Sequence, residues 1–384
     1  MLIYTTNEHE VKNYLVKCGE FHHERVSRKG AKKTQRRQVL RLCVSFAPLR
    51  EKFIVLTQMT AQFVLTVCLL LTWPAFVWSQ QGDVRQVHDP SIIKERDTYY
   101  LFSTRAGIAI RCSKDLVRWR LCGDVFAHLP EWAVKEVPGL RGLWAPDVSY
   151  FNRQYHLYYS ASTFGSNRSS IGLATNETLD PASEKYRWMD QGKVIGSNTG
   201  DDWNAIDPDV VLDEQGQPWL AFGSFWGGIK LRKLDGATGK LSSKDQTLYS
   251  LASRTRMSGG PGAVEAPNII RKNDYYYLFV SFDFCCRGKD STYNIRVGRA
   301  RRLTGPYIDR SGKPMMDGGG TLVVAGAGRW AGPGHCSVLQ EKRGDWLVYH
   351  AYDTDWRGVA TLRITALRWD SEGWPTISNG LPQK

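Results

Sequence analysis

Between residues 81 and 384 the apolar residues fall in short runs, and no long stretch has a helical period. The most regular runs are rich in aromatic and β-branched residues and bounded by Gly, Asn or Asp. They are Thr98-Tyr99-Tyr100-Leu101-Phe102, Tyr155-His156-Leu157-Tyr158-Tyr159, Pro218-Trp219-Leu220-Ala221-Phe222, Tyr275-Tyr276-Tyr277-Leu278-Phe279 and Asp345-Trp346-Leu347-Val348-Tyr349. Such runs predict β-strands in hairpins. A third short strand is predicted after each: Ile108–Ile110, Ser170–Ala174, Ile229–Leu231, Ile295–Gly298 and Leu362–Ile364.

Ahead of each aromatic run stands a related peptide. It reads His88-Asp89-Pro90-Ser91, Trp144-Ala145-Pro146-Asp147, Ile206-Asp207-Pro208-Asp209, Glu265-Ala266-Pro267-Asn268 and, degenerately, Gly334-His335-Cys336-Ser337. The steps between aligned positions are 56, 62, 59 and 69 residues. Five all-β repeats predict a five-bladed β-propeller that uses all of 81–384. A two-sheet sandwich would not need five similar units.

A propeller brings equivalent repeat positions to one depth around its axis. Asp89, Asp207 and Glu265 therefore converge from three blades, each followed directly or after one residue by a proline that restricts the local backbone. One Asp-Pro is an ordinary turn sequence. Three carboxylates in register are candidate chemistry, and crowding should raise at least one pKa.

The rest of the chain adds context. The formal charge of +13 is uneven, since residues 1–52 hold 12 Lys/Arg against 5 Asp/Glu. The basic run Arg25 to Arg41 lacks interleaved aromatics and an adjoining nucleic-acid-binding fold, so residues 1–58 read as a dispensable or mis-assigned leader and not as a nucleic-acid arm. Residues 59–80 read as a signal peptide cleaved near Ser79, with Met59 as a start, or as a signal anchor from Met1. Both place the propeller outside the cytoplasm, secreted or periplasmic, with no stable membrane partner once the leader is cleaved. Of eight cysteines, Cys112, Cys122, Cys285, Cys286 and Cys336 belong to the propeller. Five cannot all pair, and the absence of CxxC argues against a zinc cluster. Cys112 and Cys122 are close enough for a disulfide, which spacing alone does not establish. Asn167-Arg168-Ser169 and Asn176-Glu177-Thr178 are glycosylation sequons.

These repeat starts, together with Asn204-Ala205-Ile206-Asp207-Pro208, resemble the motifs of glycoside hydrolase family 43. Gly223-Ser224-Phe225-Trp226-Gly227-Gly228, Ser291-Thr292-Tyr293-Asn294-Ile295 and Gly332-Pro333-Gly334-His335 are similar to its endo-1,5-α-L-arabinanases, and the resemblance covers about residues 83–377. It implies inverting hydrolysis of arabinan, with Asp89 as general base, Glu265 as general acid and Asp207 tuning and orienting that acid. Inverting carboxyl pairs stand about 6.5–9.5 Å apart to admit a water, the separation expected for Asp89 and Glu265. The resemblance also implies sugar contacts at Asn204, Ala205, Ile206, Ser224, Phe225 and Trp226, with Asn167 and Trp144 as further candidates. It places His335, whose imidazole is an unusual ligand for an oxygen-seeking cation, near a calcium ion (Ca2+) whose shell is completed by water. No organic cofactor is expected, and the expected state is a monomer. The alternatives are an exo-acting β-xylosidase or α-L-arabinofuranosidase, many of which carry an extra C-terminal sandwich, and a non-catalytic sugar-binding propeller. The end at Lys384, directly after the fifth unit, leans towards the endo enzyme.

Overall fold

The computed structural model describes residues 79–254 and 262–377. The basic leader, the apolar segment 60–78 and Cys18, Cys43 and Cys68 lie outside the described residues. Five antiparallel sheets follow in chain order and form a five-bladed β-propeller. The first blade holds β2 (Ser91–Glu95), β3 (Thr98–Ser103), β4 (Ala109–Ser113) and β5 (Arg118–Asp124), with β1 (Gln81–Gly82) added in parallel to β5. The second holds β6 (Trp144–Phe151), β7 (Gln154–Ala161), β8 (Ser169–Asn176) and β9 (Met189–Ser197). The third holds β10 (Asp209–Leu212), β11 (Pro218–Phe222), β12 (Ile229–Lys233) and β13 (Tyr249–Ala252). The fourth holds β14 (Val264–Lys272), β15 (Tyr275–Phe282), β16 (Asn294–Ala300) and β17 (Thr321–Val324). The fifth holds β18 (Trp330–Glu341), β19 (Gly344–Asp353), β20 (Val359–Trp369) and β21 (Pro375–Ile377).

The aromatic runs are the second strand of each blade, as predicted. Each blade also has a fourth, outer strand that the apolar pattern does not show, and one six-residue helix, α1 (Glu131–Glu136), joins the first two blades. The core is a set of seams between neighbouring blades. Tyr100, Phe102, Leu157 and Tyr159 pack between the first and second. Tyr158, Leu173, Leu220 and Phe222 fill the next seam, and Leu231, Leu251, Leu278 and Val280 the third. Phe279, Val297, Leu347 and Tyr349 fill the fourth. Leu101, Trp119, Val348 and Leu362 close the circle between the fifth blade and the first, joined by Val84 and Val87 from the N-terminal segment. That segment also binds the last blade through its backbone: Leu362 donates to the Val84 carbonyl at 2.8 Å and Val87 to that of Ala360 at 3.2 Å.

At the hub the inner strands are tied in a closed ring. In each blade one side chain accepts a backbone N–H from the next. Ser91 Oγ accepts from Val148 at 3.1 Å, Asp147 from Val210 at 3.0 Å and Asp209 from Ile269 at 2.8 Å. Asn268 then accepts from Val338 at 3.1 Å, and Ser337 from Ile92 at 3.5 Å, which returns to the start. These acceptors are all buried, where an unpaired N–H would cost about 1–3 kcal/mol.

Candidate active site

Two residues before each ring acceptor the chain pivots. Asp89, Ala145, Asp207, Ala266 and His335 all lie in the left-handed backbone region, with φ of 52°, 43°, 57°, 56° and 48°. An L-residue adopts this region at a cost of about 1–2 kcal/mol. The strain is held by hydrogen bonds from the preceding blade. Ala145 N–H donates to Thr104 Oγ1 at 2.8 Å, Asp207 N–H to Ser160 Oγ at 3.0 Å and His335 N–H to Ser281 Oγ at 2.8 Å. Asp89 N–H donates to His350 Nδ1 at 3.2 Å and Ala266 N–H to Asp207 Oδ2 at 3.2 Å. In β6, β14 and β18 the pairing register shifts at the pivot, forming a bulge. The pivots and the residues before them supply Asp89, Asp207, Glu265, His88, Trp144, Ile206 and His335 to one cavity of about 920 Å³.

The three carboxylates have different surroundings. Asp89 Oδ1 lies 2.7 Å from His88 Nδ1 and 3.1 Å from His335 Nδ1, and its Oδ2 accepts from Thr104 Oγ1 at 2.5 Å. Burial alone would raise its pKa, but the two imidazoles outweigh burial and hold the carboxyl well below the usual range. Glu265 accepts from Ser224 Oγ at 2.5 Å and from Tyr293 Oη at 2.6 Å. Burial pushes its pKa up despite these donors. Asp207 is also raised, first by burial and then, against the pull of His335, by the negative charges of Glu265 and Asp89. One carboxylate is thus kept ionised beside two that favour a proton.

A profile of the glycosyl hydrolases family 43 matches residues 84–375. The chain belongs to that family. As a family 43 glycoside hydrolase it is 47% identical over 299 residues to the extracellular exo-α-(1→5)-L-arabinofuranosidase of Cellvibrio japonicus, covering 76% of this chain and 86% of that protein. It is 43% identical to the extracellular endo-α-(1→5)-L-arabinanase 1 of Bacillus subtilis, covering 79% of this chain and 90% of that one. Among solved structures, an α-L-arabinanase of Cellvibrio cellulosa complexed with arabinohexaose superposes with a TM-score of 0.74 at 46% identity, covering 77% of this chain and 96% of that chain. The endo-arabinanase of Bacillus licheniformis gives 0.72 at 51%, covering 78% and 99%.

Most other residues singled out in this hydrolase line the cavity: Asn204, Ile206, Ser224, Phe225, Trp226 and Trp144. Asn204 is buried, and its Oδ1 has no hydrogen-bond partner. Phe225 and Trp226 are held at φ 55° and 37°, a strained turn of the kind that persists at ligand sites. Trp144 packs against Phe164, which is 79% exposed, at 5.1 Å between ring centroids.

Two candidates sit elsewhere. Ala205 belongs to the seam between the second and third blades. Asn167 is buried, and its amide donates to the carbonyls of Asn198, Asp201 and Trp203, tying down the 198–203 loop. Asn176 is buried as well, so neither sequon offers an exposed amide in the folded chain.

His335 Nδ1 faces Asp89, and that carboxylate, against the opposing effect of burial, raises the imidazole's pKa to about 9. Among the described residues, no group of three His, Cys, Asp or Glu donors able to meet on one ion includes it.

Several site residues had no signal in the repeat starts. Tyr293 lies inside a family-like motif but carries no carboxylate or proline to mark it. Gly334 makes room for it, since a Cβ there would lie 1.9 Å from Tyr293 Cδ1. Thr104, His350 and Tyr352 come from the second strands or just after them, where they read as strand residues. Cys285 and Cys286, joined as a disulfide, also line the cavity, with Phe284 and Arg287. Cys112 pairs with Cys122, and Cys336 is free and buried.

Proposed function

We propose that this enzyme hydrolyses α-1,5-L-arabinofuranosidic bonds within arabinan, with inversion at the anomeric carbon. The observation that carries the reading is the opposed bias of two carboxyls on one cavity. Asp89 is held anionic by His88 and His335, and Glu265 is pushed towards its neutral form by burial. Pairs whose surroundings drive their pKa values apart take the base and acid roles. Asp89 takes a proton from a water as that water attacks the anomeric carbon. Glu265 gives its proton to the departing glycosidic oxygen. Asp207 keeps negative charge or a shared proton near Glu265, and its Oδ2 fixes the Ala266 N–H next to the acid. Asn204, Trp144 and the Ser224–Trp226 turn bind sugar. A calcium ion beside His335 would be held largely by water, and no step above depends on it. Secretion follows the reading of the apolar leader and the extracellular names of two relatives.

Exo action is the second reading, favoured by the name of the Cellvibrio japonicus relative. Product analysis on debranched arabinan separates the two. An early spread of oligosaccharides supports endo cleavage, arabinose or one short product alone supports exo cleavage, and no product refutes the substrate. Proton NMR of the first anomer formed tests inversion.

A further inference from the structure

The disulfide at the cavity wall joins adjacent residues, Cys285 and Cys286, in the loop between β15 and β16. Hydrolysis itself needs no sulfur there. The backbone N–H of Cys286 donates to Tyr352 Oη at 2.7 Å. Tyr352 Oη lies 2.8 Å from His88 Nε2, and His88 Nδ1 lies 2.7 Å from Asp89 Oδ1. With its oxygen already accepting from Cys286, Tyr352 directs its own proton to His88 Nε2. That sets the His88 tautomer, with the Nδ1 proton facing Asp89. The chain of contacts thus runs from the disulfide to the base.

Cys286 sits in the left-handed region at φ 66°, a backbone state that the ring closed by two neighbouring cysteines helps to hold. Further bonds set the rest of the loop: Thr292 and Tyr293 N–H both donate to the Phe284 carbonyl, and Arg287 N–H donates to Ser291 Oγ at 3.0 Å. Cys286 is exposed, so a reductant can reach it.

We propose that the Cys285–Cys286 disulfide is a positioning element for the catalytic base and makes turnover sensitive to reduction. The inference rests on the reading of Asp89 as the base. A trialkylphosphine supplies two electrons and water supplies two protons and an oxygen, so the S–S bond is replaced by two thiols and a phosphine oxide. Cys286 is then free to leave its left-handed conformation, its N–H moves off Tyr352, and His88 no longer holds Asp89 in one orientation.

The test compares intact enzyme before and after phosphine treatment, with thiols counted by alkylation and mass spectrometry, and kcat and KM measured on debranched arabinan. Misplacement of a catalytic group by about 1 Å can cost on the order of 100-fold. We expect kcat to fall about tenfold or more on reduction, with KM changed less than about twofold, and to return when oxidised glutathione re-forms the bond. The Cys112→Ala/Cys122→Ala enzyme keeps the full response, which excludes the other disulfide. Tyr352→Phe breaks the chain, so its kcat is already low and does not respond to reduction. The proposal is overturned if reduced wild type keeps its kcat, if only KM changes, or if Tyr352→Phe responds as wild type does. Oxidised wild type that fails to cleave arabinan refutes the proposed function instead.

Discussion

Ser224 offers a direct test of the acid assignment. Its Oγ donates to Glu265 Oε2 at 2.5 Å, and both residues are buried. A hydrogen bond to a charged group contributes about 1.5–3 kcal/mol, and it favours the ionised form of Glu265. One pKa unit corresponds to about 1.4 kcal/mol, so Ser224→Ala should raise the Glu265 pKa by about 1–2 units. The acid works only when protonated, so activity falls as pH rises through that pKa. Removing Ser224 therefore moves the alkaline limb of the kcat/KM profile to higher pH by about 1–2 units, with the acid limb unmoved. Tyr293 donates to the other oxygen at 2.6 Å, and Tyr293→Phe should shift the same limb in the same direction. Initial rates on debranched arabinan across pH, at substrate well below KM, give both limbs. An alkaline limb that stays in place, or moves to lower pH, would refute Glu265 as the acid that this hydrogen bond tunes.

The hub ring sets two further expectations. Asp209 accepts from Ile269 N–H at 2.8 Å and Asn268 Nδ2 at 2.7 Å, so Asp209→Ala strands two buried donors and should cost about 2–5 kcal/mol in urea unfolding. A loss below about 0.5 kcal/mol, the range of ordinary surface changes, would mean the ring is not a structural tie. Burial raises the Asp147 pKa from 3.8 to about 6, so the folded state binds its proton more tightly than the unfolded chain. That contribution is complete below about 3.8 and is lost as pH rises towards 6, so wild type should lose stability relative to Asp147→Asn across that window. Stability curves that stay parallel between the two proteins would show that Asp147 titrates normally.

The fold was legible where burial imposes a pattern. Second strands such as Tyr275–Phe282 face neighbouring blades on both sides and read as continuous aromatic and aliphatic runs. The outer strands lie at the rim. Arg118–Asp124 and Met189–Ser197 are largely exposed, so nothing selects an apolar alternation there. In the site, the carboxylates were legible because the repeat phase puts them at one depth. Their partners were not, since Thr104, His350 and Tyr352 differ from blade to blade and look like other strand residues. Asn167 shows a structural role that its loop setting does not signal. A polar loop asparagine suggests a ligand contact, yet three backbone carbonyls already use its amide.

The propeller's first described residues set how far the chain can be trimmed from its N-terminal side. Gln80 exchanges side-chain hydrogen bonds with the Ile364 backbone, Gln81 and Gly82 extend the first blade, and Val84 and Val87 lie in the seam where the circle closes. A peptidase acting near Ser79 leaves this clasp whole. One acting a few residues later, past Val87, removes the stitch between the oldest and newest parts of the chain and sets His88 and Asp89 beside a loose end. The N-terminal clasp and the catalytic strand therefore share a boundary, and a tag or fusion partner is better placed ahead of Gln80 than in exchange for it.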